Sequence, residues 1–283
     1  MDVRDLTGRT ALVTGAASGI GRESALAFAR RGANLEICDL DAAGLEATAA
    51  AIRALGRGAV ATYVVDVADA AQMEAFAKAV HARVPAVDIL MNNAGVAMGG
   101  SFFDTSLADW RWILGINVLG VVHGCHYFLP PMLERGKGGH VVNVSSGAGY
   151  ASNASLSAYS TTKFGVVGLS ESLRQELAPH GIGVTCICPG IIDTPITRTA
   201  KLVGAAASDD VRKRMVETHQ RRAYTPAKVA QGVLHAIERN RGLAPITSEA
   251  WLMYYAKRFV PGLWERFNLM LTRRQRRAAG LDG

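Results

Sequence analysis

Residues 8–21 read GRTALVTGAASGIG, a short apolar run followed by a glycine-rich turn. The apolar run before Gly15 predicts a short strand, and the residues from the turn to Arg31 predict a helix. Gly15, Gly19 and Gly21 permit a tight turn and a close backbone approach to a phosphate group. The positively polarised N-terminus of the helix favours an anion at the same place. The stretch therefore predicts the first unit of a dinucleotide-binding fold.

Strand and helix patterns continue to alternate after this unit. Residues 33–39 (ANLEICD) predict the second strand, and two more helix–strand units follow it. Alternation of this kind indicates a parallel sheet with right-handed crossovers. The predicted elements are helix 41–55, strand 59–65, helix 68–83 and strand 87–91.

Asp39 ends the second predicted strand, about 20 positions beyond the glycine turn. A carboxylate there accepts hydrogen bonds from the hydroxyls of an adenosine ribose and repels a 2′-phosphate. Ser18 and Leu40 stand where a phosphate-binding residue is expected, and neither is basic. Arg22 is basic but lies inside the predicted helix. These residues favour NAD over NADP as the cofactor.

The rest of the chain extends the same pattern. Its predicted elements are helix 107–128, strand 138–146, helix 157–178, strand 183–188, a helix from Thr225-Pro226 to Asn240 and strand 243–247. Residues 1–248 therefore form one α/β domain, without an internal repeat. Within it, residues 194–223 carry charged and small side chains without firm turn signals, which predicts a mobile lid over a substrate.

A second stretch, residues 145–163 (SSGAGYASNASLSAYSTTK), carries the chemistry. Tyr159 and Lys163 are four residues apart, so a helix that begins near Ser157 places them on one face. Ser146 lies at the carboxyl end of the preceding strand, where open parallel sheets bind ligands. A phenol beside an ammonium group, with a hydroxyl able to face it, suits acid–base catalysis on a carbonyl or an alcohol.

The phenolate of an isolated tyrosine lies about 4 kcal/mol uphill at neutral pH, because the tyrosine pKa is near ~10. We expect the cation of Lys163 to lower this pKa and Ser146 to hold the substrate oxygen. Tyr224 and Lys228 have the same spacing and act as an internal control. Pro226 lies between them and the position thirteen residues upstream of Tyr224 is not serine, so this pair predicts only a loop-to-helix junction.

Asn117 lies within the apolar part of the helix predicted over 107–128. A buried asparagine without hydrogen bonds costs about 1–3 kcal/mol, so its side chain must have partners. Two interpretations are open from the residues alone. One is a local bond that stabilises a helix bend, and the other is a polar link to the active site.

Composition and charge exclude several classes of function. The four cysteines of the 283 residues show no disulfide framework, and His123 and His126 have no evident third ligand for zinc. Residues 257–283 carry seven basic and two acidic side chains, whereas the rest carries 24 basic and 22 acidic ones. The near-neutral charge argues against a nucleic-acid-binding surface on the body, though not on the tail, and we expect no nucleic-acid partner. The chain starts without a signal-peptide pattern and the apolar region 115–133 is interrupted by polar residues and prolines, so we expect a cytoplasmic protein.

The assembled motifs resemble those of the short-chain dehydrogenase/reductase family, across roughly residues 7–250. They are TGxxxGIG (Thr14 to Gly21), NNAG (Asn92 to Gly95), the helix Asn117, Ser146, YxxxK (Tyr159 and Lys163) and Pro189-Gly190. The resemblance implies a Rossmann-type, doubly wound parallel sheet of about seven strands flanked by helices. It also implies hydride transfer at a nicotinamide and a homodimer or homotetramer.

The resemblance also implies a role for each matching residue. Tyr159 is the general acid–base, Ser146 orients the substrate oxygen, Lys163 lowers the Tyr159 pKa, and Asn117 positions a water in a proton relay. The thirteen-residue spacing to Tyr159 favours Ser146 over Ser145. The implied cofactor contacts are Gly15, Ser18, Gly19, Ile20, Gly21, Asp39, Asp66, Val67, Asn93, Ala94, Gly95, Tyr159, Lys163, Pro189, Gly190, Ile192 and Thr194.

The predicted substrate site is largely apolar and has no fixed cation. This favours a lipophilic secondary alcohol or ketone, such as a steroid, a terpenoid, an aromatic or a long-chain alcohol. The predicted function is therefore NAD-dependent interconversion of a secondary alcohol and its ketone. The candidate substrate residues are Ala97, Met98, Ala148, Tyr150, Asn153 and Ile191.

Residues 249–283 form an extension beyond the matching region, with apolar residues at helical spacing and a break at Pro261-Gly262. Two interpretations remain open for this basic, amphipathic segment. It packs on the substrate pocket or a subunit interface, which is the favoured one, or it touches an anionic membrane surface peripherally. Two rival functions also remain: an NAD-binding regulatory or docking protein without turnover, and an epimerase or dehydratase that uses the same residues.

Overall fold

The stretch 8–21 folds as its pattern predicts, into a strand, a glycine turn and the start of a helix. The computed structural model describes residues 1–221 and 224–278, and all of their side chains except those of 219–221 and 275–278. The strands are β1 (Thr10–Thr14), β2 (Asn34–Asp39), β3 (Val60–Val64), β4 (Ile89–Asn92), β5 (Met98–Gly99), β6 (Gly139–Val144), β7 (Ile182–Cys188), β8 (Lys201–Leu202) and β9 (Leu243–Pro245).

Seven of these strands form one parallel sheet in the order β3-β2-β1-β4-β6-β7-β9. The chain proceeds outward from β1 in one direction and then from β4 in the other. This is the doubly wound arrangement, and it confirms the predicted sheet of about seven strands. The reversal between β1 and β4 opens a crevice at the carboxyl ends of the strands, which is where such sheets bind ligands.

The helices cover both faces of the sheet. They are α1 (Gly19–Ala29), α2 (Ala42–Arg53), α3 (Ala70–His81), α4 (Leu107–Leu114), α5 (Gly120–Arg135), α6 (Ser157–Leu177), α7 (Ile196–Thr199), α8 (Asp209–Arg221), α9 (Pro226–Glu238), α10 (Ser248–Phe259) and α11 (Pro261–Ala278). The strand β1 shows why the sheet is apolar on both sides. Ala11 and Val13 pack in the core with α1 and α9, while Leu12 between them packs on the opposite face with α3 and α5.

A single turn of π-helix, Gly115–Leu119, joins α4 and α5 into one continuous run, and we call this segment the π-turn. The prediction that this run ends at Phe128 is wrong, because it continues through Pro130 and Pro131 to Arg135. Gly136, in the left-handed conformation at φ +65°, ends it. By length and composition the run could also cross a membrane; in this fold Phe128 and Met132 pack in the core.

The predicted lid is a folded segment that contains α7, β8 and α8. Met98 and Gly99 of β5 pair in parallel with Lys201 and Leu202 of β8, which ties the segment to the cleft wall. This small sheet was not predicted, because two-residue strands have no detectable periodicity. The last two residues of the predicted lid, 222 and 223, lie outside the described residues.

The extension forms two helices, α10 and α11, with the break at Pro261 as predicted. The helix α10 begins directly after β9. Its first turn is capped by Thr247, whose hydroxyl accepts a 3.3 Å hydrogen bond from the Ala250 amide. Residues 279–283 of the predicted extension lie outside the described residues.

Candidate active site

A long cleft of about 1160 Å³ runs along the carboxyl ends of the central strands. It is large enough for a dinucleotide and a second small molecule. It brings together residues from the glycine turn, from the ends of β2, β4 and β6, and from α6. The predicted site residues that line it are Gly15, Ser18, Gly19, Ile20, Asp39, Asp66, Val67, Asn93, Ala94, Gly95, Ala97, Met98, Ser146, Ala148, Asn153, Tyr159, Lys163, Pro189, Gly190, Ile191, Ile192 and Thr194.

The glycine turn is held in shape by Asn93. Its side-chain amide donates to the backbone carbonyls of Thr14 (2.9 Å) and Gly15 (3.0 Å). Gly15 has φ +66°, and a Cβ on it would lie 2.7 Å from the Cα of Ala94, so only glycine suits this position. A Cβ on Gly21 would collide with the carbonyl oxygen of Gly15. Gly21 therefore lies behind the turn rather than on the cleft, contrary to its prediction as a cofactor contact.

Asp39 lies at one end of the cleft, with its carboxylate held by the backbone. One oxygen accepts from the Ala17 amide at 2.9 Å and the other from the Asp41 amide at 3.0 Å. Asp41 and Asp66 also line this end. Among the described residues that line the cleft, Lys163 is the one basic side chain, and it lies among the predicted catalytic residues. The end around Asp39 is therefore acidic.

The two neighbouring serines have different places. Ser145 is buried, and its hydroxyl donates a 2.8 Å hydrogen bond to the carbonyl of Lys163. The hydroxyl of Ser146 accepts a bond from the Ala148 amide at 3.2 Å and lines the cleft together with Tyr159. Both serines line the cleft, but the Ser145 hydroxyl is committed to the Lys163 carbonyl, whereas the Ser146 hydroxyl interacts with Tyr159 and can hold a substrate oxygen.

Burial dominates the electrostatics of Tyr159 and Lys163. It raises the pKa of Tyr159, against a smaller lowering by the Ser146 hydroxyl, because the phenolate is poorly solvated there. It also lowers the pKa of Lys163 to about 8. The Lys163 ammonium donates to the Val144 carbonyl at 3.1 Å and lies 5.7 Å from the centre of the Tyr159 ring. Burial is thus the largest influence on the pKa of Tyr159, and the lowering of this pKa by Lys163 stays a prediction.

Asn117 lies in the π-turn and is buried, but it does not line the cleft. Its amide nitrogen donates to the Val96 carbonyl (2.9 Å) and to the Thr162 hydroxyl (3.1 Å), and its oxygen accepts from the Val96 amide (2.8 Å). Both donors of the side chain are therefore used inside the protein. Asn117 ties the cleft-lining Val96 to the helix that carries Tyr159, and its role in a water relay stays a prediction.

Tyr150 was predicted as a substrate residue and lies elsewhere. It is buried behind the cleft, where its ring packs against Tyr254 at 5.5 Å. Its hydroxyl donates a 2.8 Å hydrogen bond to the backbone carbonyl of Ala250. Tyr150 therefore holds α10 in place, because its aromatic side chain finds apolar neighbours and a polar partner there.

Two residues of α10 that the sequence did not indicate line the cleft, Glu249 and Met253. Glu249 accepts a 3.3 Å hydrogen bond from the Ile191 amide, in the loop after β7. A Cβ on Gly147 would lie 3.0 Å from the terminal methyl of Met253, so Met253 packs directly on the loop after β6. Their i,i+4 spacing was visible in the sequence, but nothing local showed that this face of α10 meets the cleft.

A doubly wound parallel sheet whose cleft joins a glycine turn to a serine, a tyrosine and a lysine defines a nucleotide-dependent oxidoreductase. A family model described as short chain dehydrogenase matches residues 9–202. The chain belongs to the short-chain dehydrogenase/reductase family.

Named relatives support this assignment. The chain is 44% identical over 253 residues to the probable oxidoreductase EphD of Mycobacterium bovis, covering 88% of this chain but only 43% of that protein. It is 43% identical over 195 residues to D-threitol dehydrogenase of Mycolicibacterium smegmatis, covering 69% of this chain and 74% of the relative. A short-chain dehydrogenase/reductase from Burkholderia phymatum, solved in complex with NAD, superposes with a TM-score of 0.81 at 31% identity, covering 92% of this chain and 96% of that one.

Proposed function

We propose that the protein is an NAD-dependent oxidoreductase that interconverts a secondary alcohol and its ketone. The observation that carries the proposal is the placement of Ser146, Tyr159 and Lys163 on one cleft that continues to the glycine turn. A bound nicotinamide would accept a hydride from the carbinol carbon or return it to the ketone carbon. Tyr159 takes up the hydroxyl proton in oxidation and returns it in reduction, while Ser146 holds the oxygen by a hydrogen bond.

The cleft suits the whole length of a dinucleotide. The glycine turn and the N-terminus of α1 offer backbone amides to the pyrophosphate. Asp39 offers its carboxylate to the adenosine ribose, and Asp66 with Val67 lies where the adenine edge is expected. Lys163 would bind the nicotinamide ribose. The cleft lining also includes Pro189, Gly190, Ile192 and Thr194, which would contact the nicotinamide.

The acidic end of the cleft supports NAD rather than NADP. A 2′-phosphate placed near Asp39 would meet a fixed carboxylate, and the described cleft lining offers no cation at that end. Arg22 does not line the cleft, and its guanidinium lies 3.5 Å from the Glu23 carboxylate. The cofactor preference therefore rests on the absence of a phosphate partner as well as on the presence of Asp39.

The substrate end supports a lipophilic alcohol. Ala97, Met98, Ala148 and Ile191 line it, and α10 adds Met253. The polar Glu249 beside them is already bonded to the Ile191 amide. A small polyol is the rival substrate, because a relative of similar identity is a D-threitol dehydrogenase. The apolar lining favours the lipophilic class.

Initial rates of NAD reduction against secondary alcohols of increasing size, with threitol included, test the proposal. The same panel is run with NADP, with Tyr159→Phe and with the matched control Tyr224→Phe. We expect turnover with NAD, a rise in kcat/KM with apolar size, loss of activity in Tyr159→Phe and little change in Tyr224→Phe. A preference for threitol would overturn the lipophilic class. Tight NADH binding without turnover of any alcohol would overturn the catalytic proposal.

We also propose that the protein forms a homodimer or homotetramer. Leu119 of the π-turn, Val122 of α5 and Phe164 of α6 are exposed on neighbouring helices. The three side chains are apolar and uncharged themselves, so two copies could bury them against each other without repulsion between these residues. Light scattering after size-exclusion chromatography is expected to show a smaller mass for Phe164→Glu than for the wild type. The control Phe103→Glu, also at an exposed phenylalanine, is expected to leave the mass unchanged.

A further inference from the structure

The helix α10 has two different sides. Glu249 and Met253 face the cleft, and Ala250 between them is fully buried. Leu252 and Phe259, by contrast, are 69% and 72% exposed. With Tyr255 they are spaced i, i+3 and i+7, so they form one apolar stripe on the outer side of the helix. The side chains of Leu252 and Phe259 thus lie largely in solvent.

The helix α11 carries an exposed apolar stripe of its own. Trp264 packs against the core of the domain and fixes the helix there. Leu263, Phe267 and Met270, at i, i+4 and i+7, are exposed on another side of the same helix. We call the six outward residues the C-terminal face: Leu252, Tyr255, Phe259, Leu263, Phe267 and Met270.

Aromatic rings follow the α10 part of this face. Trp251 stacks on Tyr255 at 5.4 Å between ring centres, and Tyr255 stacks on Phe259 at 6.0 Å. Tryptophan and tyrosine side chains have an apolar body and a polar tip, which suits the boundary between water and hydrocarbon. The aromatic row therefore favours contact with a boundary between water and hydrocarbon over burial in the apolar core of another protein domain.

Both helices that carry the C-terminal face also carry positive charge. Lys257 and Arg258 lie in the last turn of α10. Arg266, Arg273 and Arg274 line a shallow depression on α11 together with Leu269 and Met270. A second copy of this chain would bring the same positive charges against one another, so self-association through this face is disfavoured. The partner that complements this face is a surface with an apolar interior and negatively charged groups on its outside.

We propose that the C-terminal face docks on an anionic lipid surface. Its apolar side chains enter the boundary between headgroups and acyl chains, and the flanking lysine and arginines contact the lipid phosphates. The proposal does not depend on which alcohol the cleft accepts. Because Met253 and Leu252 lie on different sides of α10, docking places the cleft wall within about one helix diameter, roughly 10 Å, of the lipid.

Vesicle co-sedimentation of the full chain tests the proposal without reference to enzyme activity. Vesicles of phosphatidylcholine alone are compared with vesicles that also contain phosphatidylserine, each at low and at high NaCl. We expect the wild type to sediment with the anionic vesicles, and high salt to weaken the binding because it screens the charges. This comparison needs no variant. Failure to bind anionic vesicles, or equal binding to neutral ones, would overturn the proposal.

Two double variants test whether the C-terminal face is the surface that binds the vesicles. Phe259→Glu with Phe267→Glu is compared with Phe103→Glu, a fully exposed phenylalanine on the loop before α4. Arg266→Glu with Arg273→Glu is compared with Lys137→Glu and Lys213→Glu, which change the charge equally elsewhere.

We expect each C-terminal pair to lower the partition coefficient at least tenfold and each control to leave it unchanged, with all melting curves two-state. Equal losses in variants and controls would contradict the proposal. An oligomer that dissociates on Phe259→Glu with Phe267→Glu, while vesicle binding is unaltered, would assign the face to a second copy instead.

Discussion

The hydroxyl of Tyr150 donates a 2.8 Å hydrogen bond to the backbone carbonyl of Ala250, one hundred positions later in the chain. This bond joins the loop after β6 to the first turn of α10. Because Glu249 and Met253 in the same helix line the cleft, the position of α10 determines the shape of the cleft beside them. The first helix of the extension is thus part of the cleft wall rather than an appendage to the domain.

Tyr150→Phe is expected to loosen this connection. Loss of one buried hydrogen bond lowers the free energy of unfolding by about 1 kcal/mol. A less well positioned α10 raises KM for the alcohol more than it lowers kcat. Denaturant unfolding and steady-state kinetics measure the two effects. The control Tyr255→Phe removes a hydroxyl from a half-exposed ring of α10. If both variants lost a similar free energy of unfolding, the role of the Ala250 bond would be contradicted.

Met253→Ala is expected to enlarge the cleft. Removing this side chain opens space beside Gly147, so bulky secondary alcohols gain in kcat/KM relative to small ones by about tenfold. The ratio of kcat/KM for a large and a small alcohol measures the change. Leu252→Ala removes an equally apolar side chain from the outer side of α10 and should leave the ratio unaltered. If Met253→Ala left the ratio of kcat/KM for the two alcohols unaltered, Met253 would not be part of the substrate site.

Asp39→Ala is expected to weaken NAD and improve the relative use of NADP. Loss of a hydrogen bond to a charged acceptor lowers kcat/KM for NAD by about tenfold or more. Removal of the carboxylate also removes its repulsion of a 2′-phosphate. Kinetics with both cofactors measure the ratio. Asp69→Ala, which removes a helix-capping aspartate outside the cleft, serves as the control for general damage.

The pH dependence of the two reaction directions follows from the raised pKa of Tyr159. At neutral pH the phenol is protonated, which suits donation of a proton to a ketone. Oxidation needs the phenolate, so its kcat/KM should rise between pH 7 and 9, by up to about tenfold per pH unit. Reduction should not rise over the same range. A flat profile for oxidation would show that the Tyr159 pKa lies below this range in the working enzyme.

His140 is expected to make the fold sensitive to acid. It is buried in β6, bonded to the Thr185 hydroxyl at 2.8 Å, and burial lowers its pKa to about 3. Because this pKa lies below the usual value of 6.5, the unfolded chain binds the proton first as the pH falls. The free energy of unfolding therefore falls from pH 6.5 towards 3, by up to about 1.4 kcal/mol per pH unit from this residue.

Urea unfolding at several pH values measures this dependence. His140→Gln, which keeps a polar partner for Thr185, is expected to give a flatter dependence than the wild type. The exposed His180, changed in the same way, should leave the slope as it is. An equally steep slope in His140→Gln would assign the acid sensitivity to other groups.

The sequence was sufficient for the order and type of nearly all the main elements, and for most residues of the cleft. These features have local signals. Buried strands appear as short apolar runs, and the left-handed turn at Gly15 requires glycine. Tyr159 and Lys163 share a helix face because of their spacing alone. Such signals need no knowledge of what lies across the fold.

Only the tertiary structure decided which distant residues meet. Asn117 was known to need partners, but Val96 and Thr162 could not be named, because buried polar groups bond across elements. Tyr150 was assigned to the substrate and instead bonds Ala250. Leu252 and Met253 are adjacent in sequence, yet one faces solvent and the other the cleft, since each helical residue turns the side chain by about 100°. Periodicity describes the faces of a helix, and packing determines what each face meets.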